Sequence, residues 1–239
     1  LISPTSVVEL AKRMHLTTNI LPVDALALGA CEVIPIELTS AFGIFENHGV
    51  WVEPIAITRI DDRYGNTIAQ YKPRQELVLS EETAYLVTSL LESAINVGTG
   101  AGARSVYGFR LPAAGKTGTT NNFNDAWFIG YTPYMVAGVW VGVDNPAISL
   151  GNRQSGAAAA LPIWANFMRE SHNTKGWKAK NFERPEGIVE VQICSETKLL
   201  PSTYCPIETE VFAKPTVPTE HCQIHNEVGK PRPKDNVVF

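Results

Sequence analysis

The strongest chemical signal in the sequence is a seven-residue segment, AGKTGTT, at residues 114–120. Its Gly-Lys-Thr triplet is also the ending of a phosphate-binding loop, in which backbone N–H groups and the lysine hold phosphate oxygens. That motif requires a glycine at position 110, where this chain has Arg110. Apolar and β-prone residues on both sides of the segment also predict a strand, not the strand, loop and helix that such a motif needs. The sequence therefore disfavours a nucleotide site.

As an extended strand, the same segment offers a surface for an anionic ligand. Side chains alternate along a strand, so Lys116 and Gly118 face one way and Thr117 and Thr119 the other. Lysine and threonine donate hydrogen bonds that suit a carboxylate, and a glycine leaves room for another backbone. An edge strand of this kind can pair with an extended peptide and hold its carboxylate. The segment alone leaves a second interpretation open, an exposed strand that is merely rich in threonine.

Cysteines form a second group of candidate residues, because three of the four lie in the last fifth of the chain. The favoured interpretation is a disulfide between Cys205 and Cys222, closing a loop of 16 intervening residues and contributing about 3 kcal/mol. The alternative is a zinc site made by Cys194, Cys205, Cys222 and His225. No Cys-x-x-Cys pair is present and the spacings are irregular, so we expect no metal site. Cys31, in an apolar stretch predicted to be helical, is expected to be a small buried hydrophobic residue.

Other residues that could take part in catalysis have simpler structural interpretations. Asp125 is expected to have a structural role at the start of a strand, and Trp127 is expected to pack in the core. His15, His48 and His172 lie on or at the ends of predicted helices, without a carboxylate at local spacing. Surface or packing roles are therefore favoured for all three histidines.

The pattern of apolar residues predicts the elements that must position these groups. Four helices are predicted from amphipathic periodicity, N-caps and first-turn prolines: 6–16, 35–49, 80–98 and 156–170, the last with a kink at Pro162. The extended elements are a β-hairpin over 50–72 with a Gly-Asn turn and an antiparallel meander made of 111–120, 126–131 and 134–143.

These elements predict an α+β fold, an antiparallel sheet flanked by helices. We expect residues 1–181 to form this domain and residues 182–239, with short β-like runs, prolines and cysteines, to form a small β-rich appendage. A length of 239 residues allows such an arrangement. With 20 Lys+Arg against 24 Asp+Glu and no basic run, nucleic acid is not an expected partner. The longest apolar stretch, 135–143, is too short to cross a bilayer.

The residues 116–119, Lys-Thr-Gly-Thr, resemble the Lys-Thr-Gly motif of penicillin-binding proteins and serine β-lactamases. The similarity to class A penicillin-binding proteins extends over nearly the whole chain. The other segments that carry it are 27–35, 45–49, 124–133, 138–142 and 159–168. The resemblance implies an incomplete transpeptidase fold, the C-terminal part of the domain, with a cysteine-bearing tail.

The activity implied by this resemblance is that of a peptidoglycan DD-transpeptidase. In that family a serine attacks the D-Ala-D-Ala end of a stem peptide, and β-lactams acylate the same serine. The resemblance makes Lys116 and Thr119 catalytic, with the backbone N–H of Thr119 in the oxyanion hole. It makes Thr117, Gly118, Thr119 and Thr120 the substrate-binding residues. It implies no cofactor, and its expected ligands are stem peptides and β-lactams.

The family has two further motifs, Ser-x-x-Lys and Ser-x-Asn, which precede Lys-Thr-Gly along the chain. Ser195-x-x-Lys198 and Ser171-x-Asn173 match them, but both follow Lys116 and both occur about as often as chance predicts. We therefore expect the nucleophile to lie in an upstream part of the same protein and the present chain to be inactive alone.

The same resemblance implies an extracytoplasmic location, with a glycosyltransferase module and a membrane anchor in an upstream segment. Two alternative functions are a serine β-lactamase and a non-catalytic binding or scaffold module of a cell-wall protein. The predicted hairpin over 50–72 and the cysteine-bearing tail disfavour the β-lactamase.

Overall fold

The computed structural model describes residues 2–145 and 147–225, which form two units divided between Glu183 and Arg184. The α-helices are α1 (Pro4–Arg13), α2 (Pro35–Glu46), α3 (Glu81–Asn96), α4 (Gly102–Ser105) and α5 (Leu161–Lys175). The strands are β1 (Val50–Val52), β2 (Arg59–Asp61), β3 (Thr67–Gln70), β4 (Gln75–Leu77), β5 (Ala114–Thr119), β6 (Asp125–Thr132), β7 (Met135–Gly142), β8 (Ile188–Cys194) and β9 (Ile207–Ala213). Short 3₁₀ segments occupy Asp24–Leu28 and Lys214–Thr216, and Gly156–Ala160 is π-helical.

The main sheet of the first unit is an antiparallel meander in the order β5-β6-β7. Its middle strand, β6, is almost entirely buried, because it pairs with a strand on each edge and also packs against α2, α5 and the π-helical turn. A tight turn at Pro133 and Tyr134 joins β6 to β7 and pairs Thr132 with Met135. The predicted α+β class and the predicted meander are confirmed, and β5 forms one edge of this sheet.

The core of the first unit packs α5 against the meander. Trp164 is fully buried, and its ring lies 4.9 Å from that of Phe128 and 5.3 Å from that of Phe109. Its Nε1 donates a hydrogen bond to the carbonyl of Gly130, at 3.1 Å. A Cβ atom at Gly130 would lie 2.9 Å from the Trp164 ring, so the missing side chain allows this close approach. The ring fixes the position of the helix over the sheet.

The last helix of the first unit, α5, differs from the prediction at Pro162. The sequence predicted a kinked helix over 156–170, with the proline in its interior. In the structure α5 begins at Leu161, so Pro162 lies in the first turn, where no N–H is needed. The π-helical turn Gly156–Ala160 precedes it, and Gly176, at φ +65°, ends the helix.

The other predicted helices are confirmed with shifted ends, and the predicted hairpin is only partly correct. The inner pair, β2 with β3, surrounds a turn in which Gly65 has φ +84°. The residues of β1 are not part of that hairpin, because β1 pairs with β4. Pro54 separates β1 from β2, so the run from residue 50 to 62 is not one strand.

The second unit contains one antiparallel pair, β8 with β9, in register from Ile188–Ala213 to Cys194–Ile207. Its first residue, Arg184, lies close to the predicted boundary at 181/182, but the chain is described only to 225. The predicted domain limits, 1–181 and 182–239, therefore stay predictions. Among the residues that the structure describes, no helix has both the length and the hydropathy to cross a bilayer.

Candidate active site

The segment 114–120 is extended, as predicted, and presents one backbone edge away from the sheet. β5 pairs through its other edge with β6, and the N–H of Thr120 continues this ladder by donating to Asp125 O at 3.2 Å. Successive N–H groups of a strand point to opposite edges. The N–H groups of Thr117 and Thr119 therefore point away from β6, toward the open edge of the sheet.

Lys116 places its positive charge on the same open edge. Its side chain is exposed, and its Nζ donates a hydrogen bond to the carbonyl oxygen of Thr117 at 2.9 Å. That carbonyl points away from β6, since the N–H and C=O of one residue in a strand share an edge. A cation, a row of N–H groups and two hydroxyls are thus concentrated along one strand.

The hydroxyls of Thr117 and Thr119 are both held by neighbouring loops. Thr117 Oγ1 lies 2.7 Å from Thr99 Oγ1, in a hydrogen bond that either group can donate. Thr119 Oγ1 accepts a hydrogen bond from the N–H of Gly156 at 3.0 Å, which orients it while its own hydrogen stays available. Thr99, in the glycine-rich loop between α3 and α4, is a candidate site residue that sequence reasoning missed.

Thr120, predicted to bind substrate, holds the turn after β5 instead of extending the open edge. Its Oγ1 accepts hydrogen bonds from the N–H groups of Asn124 and Asp125, both at 2.9 Å. The turn residues thereby fix the exit of β5, and only the hydroxyl hydrogen of Thr120 remains for a ligand.

A glycine allows the π-helical turn to pack closely against β5 and β6. A Cβ atom at Gly156 would lie 2.5 Å from the carbonyl oxygen of Gly118 and 2.3 Å from that of Trp127. The π-helical turn therefore rests directly on the β5–β6 pair, at the position next to Thr119. This packing makes the open edge rigid where a reacting group would bind.

Asp125 and Trp127 do not add catalytic groups to this edge. Asp125 Oδ1 accepts a hydrogen bond from Trp140 Nε1 at 2.8 Å, which agrees with the structural role predicted at a strand start. Trp127 is half-buried, not in the core, and its ring centroid lies 6.3 Å from that of Trp140. The residues that line two cavities of the first unit lie outside 114–120, so the use of β5 as a peptide-binding edge stays a prediction.

Comparisons with known proteins agree with this geometry. The family model described as the penicillin binding protein transpeptidase domain matches residues 21–169, which include β5 and the helices around it. The chain belongs to the penicillin-binding protein transpeptidase family. A second family model, the C-terminal domain of penicillin-binding protein 1A, matches residues 184–227.

Individual relatives give the same assignment. Penicillin-binding protein 1A of Aquifex aeolicus is 36% identical over 222 residues, which cover 93% of this chain and 30% of the relative. The crystal structure of penicillin-binding protein 1A from Haemophilus influenzae superimposes with a TM-score of 0.83 at 27% identity, over 92% of this chain and 38% of that one. PonA1 from Mycobacterium tuberculosis shares the fold, with a TM-score of 0.64 at 22% identity over 76% of this chain and 53% of that one. The chain thus spans about a third of the length of the first two relatives.

Neither apparent match to the other penicillin-binding protein motifs has a catalytic geometry. Ser195 lies in a turn after β8, and Lys198, at φ +59°, pairs with Glu208. A serine activated by a lysine three residues on needs both on one face of a helix. Ser171 and Asn173 lie near the end of α5. The structure supports excluding both pairs from catalysis.

The histidines have packing or surface partners, as predicted for this chain. The buried His172 donates from Nδ1 to the carbonyl of Met168 at 2.8 Å, and its Nε2 lies 3.0 Å from Thr132 Oγ1. His15 stacks on Trp51 with ring centroids 3.6 Å apart. His48 lies 2.8 Å from Glu81 at the surface.

The predicted disulfide between Cys205 and Cys222 is not present: both are free thiols. They lie instead in one cluster with Cys194 and His225, whose ligand atoms are all within 4.8 Å of one another. Burial by itself would raise the pKa of the Cys222 thiol, but hydrogen bonds from Thr197, His225 and the local backbone lower this pKa to about 6. The cluster is the one group of side chains in the described residues that could hold a metal ion.

Cys31 also differs from its prediction. It lies between the first 3₁₀ segment and α2, outside any helix, and is only half-buried. Even this partial burial raises the pKa of its thiol. The apolar residues around Cys31 indicated that it lies in a helix, but α2 begins only at Pro35.

Proposed function

We propose that this chain supplies the substrate-carboxylate site and one oxyanion donor of a peptidoglycan DD-transpeptidase. The observation that carries the proposal is the open edge of β5, where one strand carries the outward N–H of Thr119, the hydroxyls of Thr117 and Thr119 and the Lys116 ammonium. Family membership supports the reaction class, a serine acyl transfer.

In the proposed complex, a D-Ala-D-Ala peptide lies extended along β5 and pairs with its free N–H and C=O groups. The terminal carboxylate accepts hydrogen bonds from the hydroxyls of Thr117 and Thr119, near the charge of Lys116. Gly118 carries no side chain, so the peptide backbone can lie close to the strand. Thr120 contributes by fixing the turn that ends β5.

The catalytic step needs an oxyanion donor where charge develops. As a serine attacks the carbonyl between the two D-alanines, the carbonyl oxygen becomes negative, and the N–H of Thr119 stabilises it. The tetrahedral intermediate expels the last D-alanine and leaves an acyl-enzyme, which an amine of a neighbouring peptidoglycan strand then attacks. A β-lactam uses the same carboxylate site but leaves an acyl-enzyme that hydrolyses slowly.

The nucleophile in this proposal comes from residues outside these 239, because no Ser-x-x-Lys motif precedes Lys116 in the order that the family has. Since peptidoglycan lies outside the cytoplasmic membrane, we place the site on the extracytoplasmic side. The match of residues 184–227 to a penicillin-binding protein 1A domain disfavours a β-lactamase.

Labelling with a fluorescent penicillin tests this function. The isolated chain should not be labelled, whereas a polypeptide that joins it to the Ser-x-x-Lys and Ser-x-Asn segments of a relative should be labelled covalently. In that polypeptide a Ser195→Ala variant should be labelled at the unchanged rate. Covalent labelling of the isolated chain would refute the assignment of the nucleophile, and failure of the joined, folded polypeptide to react would favour a scaffold module.

A further inference from the structure

The second unit brings four side chains with metal-binding atoms to one buried point. Cys194 ends β8, Cys205 lies between β8 and β9, and Cys222 and His225 follow β9. The Nδ1 atom of His225 lies 3.5 Å from the Sγ atoms of Cys194 and Cys205 and 3.2 Å from that of Cys222. One imidazole nitrogen thus faces three sulfur atoms at once.

These separations fit a tetrahedral ion better than a disulfide. Zn–S and Zn–N bonds of about 2.3 and 2.0 Å at tetrahedral angles place sulfur and nitrogen about 3.5 Å apart. Three thiols cannot all be paired in disulfides, so any one disulfide would leave one thiol unpaired beside the imidazole. Three thiolates and one imidazole form a donor set that zinc prefers.

The surroundings of the cluster supply the outer contacts that such a site needs. His225 Nε2, on the far side of the ring from the sulfur atoms, lies 3.5 Å from a carboxylate oxygen of Glu196. A carboxylate in that place fixes the tautomer in which Nδ1 is free to bind a metal. The backbone N–H and the hydroxyl of Ser202 lie 3.2 Å from Cys205 Sγ.

We propose that Cys194, Cys205, Cys222 and His225 bind one Zn²⁺ ion through three Sγ atoms and Nδ1. Three thiolates and a neutral imidazole around Zn²⁺ give a net charge of minus one, and the thiol protons are released to water on binding. All four positions are filled by protein atoms, so the role is structural. The ion ties the end of β8 and the segment after β9 to the loop that joins the two strands.

Metal analysis of the full chain, purified without chelator in oxygen-free buffer, tests the site. One zinc per chain is expected, and Co²⁺ in its place should give the visible absorption of a tetrahedral thiolate complex. Cys194→Ser, Cys222→Ser and His225→Ala should lose the metal. His225→Cys should retain it, since four thiolates also bind zinc, and this variant separates loss of a ligand from loss of the fold.

Matched controls come from residues of the same types outside the cluster. Cys31→Ser and His221→Ala should leave the zinc content unchanged, because neither residue belongs to the cluster. His221 is exposed, and its Nδ1 donates to the carbonyl of Pro201 at 3.2 Å. Glu196→Gln should weaken zinc affinity by about 10–100-fold.

Two results would overturn the proposal. One is a chain without metal whose mass is lower by two hydrogens, with Cys205 and Cys222 joined in one peptide after digestion. The other is zinc retained equally by the control and ligand variants.

Discussion

The two candidate sites of this chain are built in opposite ways. On β5 the active groups come from one short run of sequence, they include both backbone N–H groups and side chains, and they face outward from a sheet edge. In the second unit the groups come from four separate positions over 194–225, all are side chains, and they face one another inside the fold. The groups on β5 face outward, where a ligand can reach them, whereas the four side chains of the cluster lie next to one another without any further residue.

The two kinds of site therefore require different support from the surrounding protein. The open edge needs rigid support from the elements packed against it, which Gly156 and the Trp164 ring provide, and in the proposed function it also needs a nucleophile from outside these 239 residues. The cluster needs only an ion of the correct size. We therefore expect the edge to depend on its backbone N–H groups and the cluster to depend on its metal.

Removal of the metal should have the largest effect, because binding of structural zinc contributes on the order of 10 kcal/mol to folding. Treating the full chain with a zinc chelator should make the amides of β8 and β9 exchange rapidly with deuterium, while those of β6 and β7 stay protected. Hydrogen exchange measured by mass spectrometry checks this. Equal protection of β8 and β9 with and without chelator would show that no ion stabilises the second unit.

Removal of the oxyanion donor should have the next largest effect. Since the N–H of Thr119 points to the open edge, Thr119→Pro deletes it without breaking the ladder with β6. In the joined polypeptide, acylation by penicillin should slow by about 10²–10³ relative to Thr119→Ala, which keeps the N–H. Equal acylation rates for the two variants would mean that this N–H is not the donor.

Local sequence patterns were sufficient for much of the fold and for β5. The cap at Ser80, the apolar pattern of the meander strands and the Lys-Thr-Gly run can each be recognised from residues that are close together in sequence. The β1–β4 pair was missed because each strand has three residues and the two are joined only through a long excursion. Pro162 was misplaced because sequence alone does not show where an α-helix follows a π-helical turn.

The cluster of three cysteines and His225 was missed for a similar reason, and a disulfide between Cys205 and Cys222 was predicted in its place. Its ligands are separated by irregular intervals, and only folding of β8 against β9 brings them together. A local signal was present, since Cys222 and His225 have the Cys-x-x-His spacing of a zinc ligand pair. Thr99 gave a weaker signal, a hydroxyl in a glycine-rich loop, and its position beside Thr117 depends on tertiary packing.

The support behind β5 should be sensitive to a single methyl group. Gly156→Ala places a Cβ against the carbonyls of Gly118 and Trp127, backbone atoms that cannot move aside independently. We expect a loss of about 1–3 kcal/mol in the free energy of unfolding, measured by urea denaturation, with slower acylation of the joined polypeptide. Unchanged stability would show that the π-helical turn does not press on the strand.

The same substitution in α2 should have a smaller effect of opposite sign. A Cβ at Gly43 would lie 3.5 Å from Val136, an ordinary contact. Gly43→Ala should therefore stabilise the chain by about 0.5–1 kcal/mol through its helix propensity. A loss of stability in the same urea titration would show that this helix face is more tightly packed than the structure indicates.

The proposed function requires the open edge of β5 to hold both the reacting carbonyl and the substrate carboxylate. A crystal structure of the joined polypeptide acylated by penicillin is the decisive measurement. We expect the acyl carbonyl oxygen about 2.7–3.1 Å from the Thr119 nitrogen, with the carboxylate against the hydroxyls of Thr117 and Thr119. An acyl group bound away from β5, with the Thr119 N–H bonded to the protein, would contradict it.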